Sequence, residues 1–143
     1  MEIHEIKTVD KEYLSTMKMR NFKMLSDAEL DFLTEHSTCR VIEFTQESGN
    51  ESDAEFYQHF VNWLQEEPIK GYVYYYLIMG MRKGENLSDE EFEYLESHVT
   101  PCFDTGYGWI AQTNNERRFK RRIKLITFEK HNSFRRFIPL NQQ

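Results

Sequence analysis

Residues 13–38, YLSTMKMRNFKMLSDAELDFLTEHST, lie without a gap over residues 75–100, YYLIMGMRKGENLSDEEFEYLESHVT, at an offset of 62. Eleven of the 26 aligned positions are identical, where an arbitrary pairing gives about one or two. The matches are Tyr13/Tyr75, Met17/Met79, Met19/Met81, Arg20/Arg82, Leu25/Leu87, Ser26/Ser88, Asp27/Asp89, Glu29/Glu91, Leu33/Leu95, His36/His98 and Thr38/Thr100. Two copies are too few for a solenoid, so the expectation is a pseudo-symmetric core in which the copies pack together.

Part of this match has a local cause. Ser26 with Glu29, and Ser88 with Glu91, each spell the S-x-x-E capping box, in which the serine accepts from a free backbone N–H and the glutamate reaches back. Acidic residues in the first turn also suit the positive end of the helix dipole. Capping does not account for Tyr-x-x-x-Met-x-Met-Arg upstream or His-x-Thr downstream. Duplication is therefore favoured over convergence. The LSDxEL opening resembles the start of cyclic-nucleotide-binding domains, but the jelly-roll run of strands and glycines that should follow is missing.

Along the chain, Met1–Val9 alternates as a short strand, and Asp10 can cap a helix over Lys11–Met24. A second helix is expected over Asp27–His36, then a β-branched strand over Cys39–Gln46. Ser52 and Glu55 form a third capping box before a helix over Asp53–Glu67, with Phe56, Phe60, Trp63 and Leu64 on one face. Residues 71–83 suit either strand or helix, and the repeat decides for helix, with Gly84 as its C-cap. Ser88 opens a helix that stops before Pro101. Residues 106–113, 117–130 and 133–140 read as consecutive antiparallel strands, the first two joined through Asn114-Asn115. The expected fold is a single α+β domain over residues 1–143. Its N-terminal two-thirds is helical with a duplicated helix–helix–strand unit, and an antiparallel sheet gathers towards the C-terminus.

Composition supports a packed core: 11 Phe, 8 Tyr and 2 Trp stand against only 6 Gly and 3 Pro. The first residues show no basic segment followed by an apolar one, so no signal peptide is expected. The most apolar run, Tyr72 to Met81, is about half of the ~20 residues a membrane-spanning helix needs. Two cysteines are too few for a disulfide framework. The expectation is a cytoplasmic protein, in its own cell or a host's, with no membrane partner.

Net charge is −6, unevenly spread. Residues 1–100 hold 9 Lys and Arg against 21 Asp and Glu, and residues 101–143 hold 9 against 3. Three site readings follow. Carboxylates at helical spacing, Asp27, Glu29, Asp31, Asp89, Glu90 and Glu93, can form a face that imitates a phosphate backbone and binds a basic protein surface. The alternative is direct nucleic-acid binding by Arg117, Arg118, Lys120, Arg121, Arg122, Lys124, Arg135 and Arg136, with Trp109, Phe119 or Phe134 stacking on bases. Strand periodicity puts Arg118, Lys120, Arg122 and Lys124 on one face, and Arg121 among mostly apolar groups on the other. The plainer readings are that the basic C-terminal segment packs beside the acidic body and neutralises it, and that this strand is an edge strand kept soluble by its charges. Third, the repeat sets His36 and His98 in equivalent positions, followed by Cys39 at H-x2-C and Cys102 at H-x3-C spacing, and the four together make an ordinary tetrahedral zinc set. Neither pair has the compact spacing of a zinc knuckle, so core packing is preferred.

No G-x-S-x-G, P-loop, H-E-x-x-H, C-x-x-C or dinucleotide fingerprint is present. MEIHEIKTVDKEYL resembles the opening strand and helix of an acetyltransferase family, but that family's glycine-rich pyrophosphate turn is not found downstream. Cys102 with His98 lacks a third member for nucleophilic catalysis. The expectation is a non-enzymatic binding or regulatory protein with a protein partner, an inhibitor or modulator of a nucleic-acid-handling protein. Direct nucleic-acid binding is the runner-up and a small metal-dependent or nucleolytic enzyme the third reading. Nothing in the sequence fixes an oligomeric state.

Overall fold

The computed structural model describes residues 1–7, 9, 13, 39–47, 49–66, 72–103 and 107–129. Strand β1 (Glu2–Glu5) is followed by β2 (Cys39–Thr45), helix α1 (Asp53–Glu66), β3 (Tyr72–Met81) and helix α2 (Asp89–Val99). A 3-10 turn over Thr100–Cys102, β4 (Tyr107–Thr113) and β5 (Arg121–Glu129) complete the described elements. The five strands form one mixed sheet in the order β1-β2-β5-β3-β4. All neighbours are antiparallel except β3 and β4, which run parallel. Parallel neighbours require a crossover, and α2 supplies it.

Both helices cover one face of the sheet. Phe56, Tyr57, Phe60, Val61 and Leu64 of α1 and Leu95 and Val99 of α2 pack on Ile42, Phe44, Tyr75, Leu77, Met79, Ile123 and Leu125. Phe44 anchors this layer, meeting Phe60 and Trp63 edge-on with ring centroids 4.8 and 5.0 Å apart, the geometry the ring quadrupoles favour. The opposite face carries a second cluster of Val41, Tyr76, Ile126 and Phe128, joined by Trp109 and Ala111. Tyr76 stacks on Trp109 at 4.8 Å and takes the edge of Phe128.

The α+β class holds, but strands are interleaved with helices throughout and do not follow a helical N-terminal two-thirds. The largest correction is residues 71–83, expected as helix: 72–81 are β3, hydrogen-bonded to strands on both sides. A central strand with both faces buried shows a near-continuous apolar run and no alternation. Tyr75, Leu77 and Met79 face the helices while Tyr76 packs on the far side. The second repeat copy is therefore strand–helix, not helix–helix–strand. The helices expected over Lys11–Met24 and Asp27–His36, nearly all of the first copy, and the strand over 133–140 lie outside the described residues.

Gly84 does not cap a helix. It takes φ +85° in the turn after β3, where Glu85 N donates to Arg82 O at 3.1 Å, a backbone position suited to glycine. Nor are β4 and β5 a hairpin, because β3 lies between them. Gly108 of β4 faces Tyr75 in register, and a Cβ at that position would overlap the tyrosine ring.

Candidate functional site

The two helices begin side by side, each fixed by its own capping box. Glu55 N donates to Ser52 Oγ at 3.1 Å, with Ser52 N returning to Glu55 Oε1 at 3.4 Å. At α2, Glu91 N donates to Ser88 Oγ and Ser88 N to Glu91 Oε1, both at 3.1 Å. Between these two starts lies a cleft of about 440 Å³ lined by Asp53, Ala54, Tyr57, Gln58, Glu90, Glu91 and Tyr94.

Arg121, at the start of β5 and only 7% exposed, ties the cleft residues together. Its Nη1 donates to Tyr57 Oη and to Glu91 Oε2, the latter at 2.5 Å, and its Nη2 lies 3.4 Å from Asp53 Oδ2. Asp53 Oδ1 further accepts from Gln46 Nε2 at 3.0 Å and pairs with Lys120 Nζ at 3.0 Å. A buried cation is tolerable only with such partners.

Protonation follows from this wiring. Burial alone would raise the Asp53 carboxyl, but Gln46, Lys120 and Arg121 outweigh it and hold it below the usual range. Burial works the same way on Glu91 and is outweighed by Tyr57, Ser88 and Arg121, so it too is held low. Burial, with Glu91 beside it, pushes the Tyr57 hydroxyl up. Near neutrality Asp53 and Glu91 are thus fixed as anions and Tyr57 as the neutral phenol, whereas a general acid or base works best with a pKa near the operating pH.

Among the carboxylates expected to form a binding face, Asp89, Glu90 and Glu93 are exposed on α2. Glu90 lines the cleft and Glu91 turns inward. Asp27, Glu29 and Asp31 lie outside the described residues.

The basic segment is mostly engaged with the body. Arg122 pairs with Glu43 at 3.4 Å and Glu116 at 3.1 Å, and Lys124 with Glu43 at 3.4 Å. Lys120 and Arg121 serve the cleft as above. Arg117 and Arg118 are exposed, and Arg118 lies 5.5 Å from the centroid of Phe119. Arg135, Arg136 and Phe134 are outside the described residues.

Of the zinc candidates, the described Cys39 does not come together with His98 and Cys102. Cys39 packs in the cluster on one face of the sheet and Cys102 against the helical core on the other. Burial pushes the Cys39 thiol up to about 12, far from the thiolate that binds metal. His98 Nδ1 lies 2.7 Å from the Tyr94 carbonyl, and Cys102 Sγ donates to the His98 carbonyl at 3.6 Å, not to its ring. His36 is outside the described residues, and no cluster of three or more metal-ligating side chains occurs among those described. Among the same residues no helix is long and apolar enough to cross a membrane.

No protein-family model matches this chain, and neither curated proteins nor solved structures give a match. Sequence reasoning missed Asp53, Tyr57, Glu91 and Tyr94 as a group, because only the fold places α1 beside α2. One signal was available: Arg121 is a cation in the apolar phase of its strand, which demands a buried partner.

Proposed function

We propose that this protein is a non-enzymatic binding or regulatory protein whose acidic helical layer engages a basic surface on a partner protein. A protein that handles nucleic acid carries such a surface, since its groove is built to receive phosphates. One observation carries the reading. Helices α1 and α2 hold eight carboxylates, Asp53, Glu55, Glu66, Asp89, Glu90, Glu91, Glu93 and Glu96, and no lysine or arginine. Only Asp53 and Glu91 are paired to Arg121. Glu66, Asp89, Glu90, Glu93 and Glu96 are left exposed on the side away from the sheet, available to steer a positive surface.

Two observations weigh against the other readings. Lys120, Arg121, Arg122 and Lys124 already face carboxylates of this chain, which favours neutralisation over a phosphate-tracking stripe. The cleft's titratable groups are driven away from neutrality, which favours binding over acid–base chemistry.

The test begins with recovery of the native partner by cross-linking in the source cell, followed by affinity measurement with purified proteins. Combining Asp89→Asn, Glu90→Gln and Glu93→Gln is expected to weaken the complex by about tenfold or more and to flatten its salt dependence. Unchanged affinity in the triple variant, or tight nucleic-acid binding by the wild-type chain that falls steeply with salt, would sink the proposal.

A further inference from the structure

The cleft between the starts of α1 and α2 differs from the outer acidic surface in three ways. It is concave, an open cleft of about 440 Å³ between two helices, within the size range of sites that hold a single organic group. It presents two tyrosines, Tyr57 and Tyr94, together with Asp53, Glu90 and Glu91, and no lysine or arginine lines it. Its walls are also rigid: both helix starts are capped, Tyr57 is held by Arg121, and the Tyr94 ring is held by His98 at 4.3 Å.

We infer that this cleft receives an arginine side chain of the partner protein, with Glu90 as its principal carboxylate and the Tyr94 ring as its apolar wall. The inference rests on the partner-binding reading above and names where and how that binding is concentrated.

Chemistry selects the occupant. Asp53 and Glu91 are already paired to Arg121, and Asp53 to Lys120 as well, so the uncompensated negative charge at the cleft is that of Glu90. Glu90 makes no ion pair among the described residues and stands exposed at the wall, with Asp89 next to it on the same turn. The first turns carry Asp53 and Glu55 on α1 and Asp89, Glu90 and Glu91 on α2, which offsets the two positive helix ends that meet here. A planar guanidinium can pair with a carboxylate through two parallel N–H bonds and lie against a tyrosine face, whereas an ammonium does the first only as a point charge. Buried arginine and tyrosine contacts are also the ones that concentrate binding energy at protein interfaces.

The test titrates the full chain, isotopically labelled for NMR, with a short acetylated arginine–glycine peptide and with its citrulline–glycine counterpart. Citrulline keeps the shape and removes the charge. The expected result is saturable binding of the arginine peptide alone, with amide shifts concentrated at Ala54, Gln58, Glu90 and Tyr94. Ala54→Trp and Gln58→Trp each fill the cleft from exposed positions, so folding is preserved and checked by circular dichroism. Each is expected to weaken binding by about tenfold. Glu90→Gln should cost about three- to fivefold, and Glu93→Gln with Glu96→Gln on the outer side less than about twofold. If both tryptophan variants bind as wild type while the outer pair of substitutions weakens binding, the cleft is the wrong site and the acidic surface reading stands. Equal binding of the citrulline and arginine peptides, or binding of neither, overturns the cleft assignment, while the partner reading is judged separately by the Asp89, Glu90 and Glu93 triple variant.

Discussion

DEEFEYLE on α2, with five charges in eight residues, and RRFKRRIK leading into β5, with six in eight, end in opposite situations. On α2, Leu95 and Val99 meet the core while Asp89, Glu90, Glu93 and Glu96 remain exposed. On β5, Arg121, Arg122 and Lys124 each face a carboxylate of the same molecule. The cause is geometric. A helix lying on a sheet needs only one apolar stripe, so its other sides can carry any charge at little cost. A strand with neighbours on both edges and a cluster on each face has no free side, and each of its cations must be matched where it lands. A run of like charge thus marks a surface when it is helical and an internal neutralising element when it is a central strand.

The sharpest way to break this comparison is Arg121→Ala. It leaves Glu91 without a cation and Asp53 with Lys120 alone, and removes the donor to Tyr57. Removing one member of a buried pair costs about 3–5 kcal/mol. Because Asp53 and Glu91 retain 33% and 24% side-chain exposure, the lower end, about 3 kcal/mol, is expected in urea unfolding. Glu93→Gln, from the same length of charged sequence but on the free side, should stay within about 0.5 kcal/mol. Equal losses in the two variants would erase the distinction.

Gly108→Ala ranks next and probes the packing of the sheet that carries β5. The added methyl overlaps the Tyr75 ring, whose hydroxyl is tied to Thr100 Oγ1 at 2.8 Å, so the ring cannot swing away freely. Overpacking of this kind costs about 1–3 kcal/mol. The expected readout is a lowered urea midpoint, with the pairs of Arg121 intact.

Part of this arrangement was legible beforehand. Strands β2, β4 and β5 and helices α1 and α2 announced themselves through alternation, apolar spacing and the Ser52 and Ser88 caps, all local signals. Strand β3 did not, because its burial on both faces removed the alternation, and its Leu77, Met79 and Met81 are as acceptable to a helix as to a strand. The aligned residues 13–24 have helical spacing, which tilts the ambiguous 71–83 towards helix. The insertion of β3 between β4 and β5 is a choice of topology that no local pattern records. The same holds for the cleft: Asp53 and Glu91 are 38 positions apart, and only the packing of α1 against α2 brings them to one guanidinium.

A smaller effect separates the two charge systems by pH. Asp53 and Glu91 titrate below their ordinary values of 3.8 and 4.5 when folded, so the unfolded chain binds more protons than the native one wherever they titrate. Their contribution to stability is therefore complete above about pH 5. It is lost as pH falls through the ordinary carboxylate range towards the depressed folded values. Partial exposure of both groups keeps the effect modest. Wild-type protein should lose stability between about pH 5 and pH 3, with Glu51 contributing in the same direction, its carboxyl held low against burial by His59 and the Glu47 backbone N–H. In Arg121→Ala the slope should be shallower, since Glu91 then loses its cation and Asp53 keeps only Lys120. An unchanged slope would mean that Arg121 does not set their ionisation.

The smallest expected effect lies at the edge of the basic segment. Arg117 and Arg118 precede β5, are exposed, and make no ion pair among the described residues, unlike Arg121 four residues later. Reversing both to Glu should move stability by less than about 0.5 kcal/mol. If the segment serves only to neutralise the body, the reversal should also leave nucleic-acid affinity unchanged. If it tracks phosphates, the same variant should lower that affinity and reduce the slope of log K against log salt by about 2, close to one unit for each phosphate no longer neutralised. Stability and salt slope thus report on different ends of one eight-residue stretch. Loss of stability from the Arg117 and Arg118 reversal would show that the neutralising role begins earlier in the chain than the ion pairs of Lys120 and Arg121 imply.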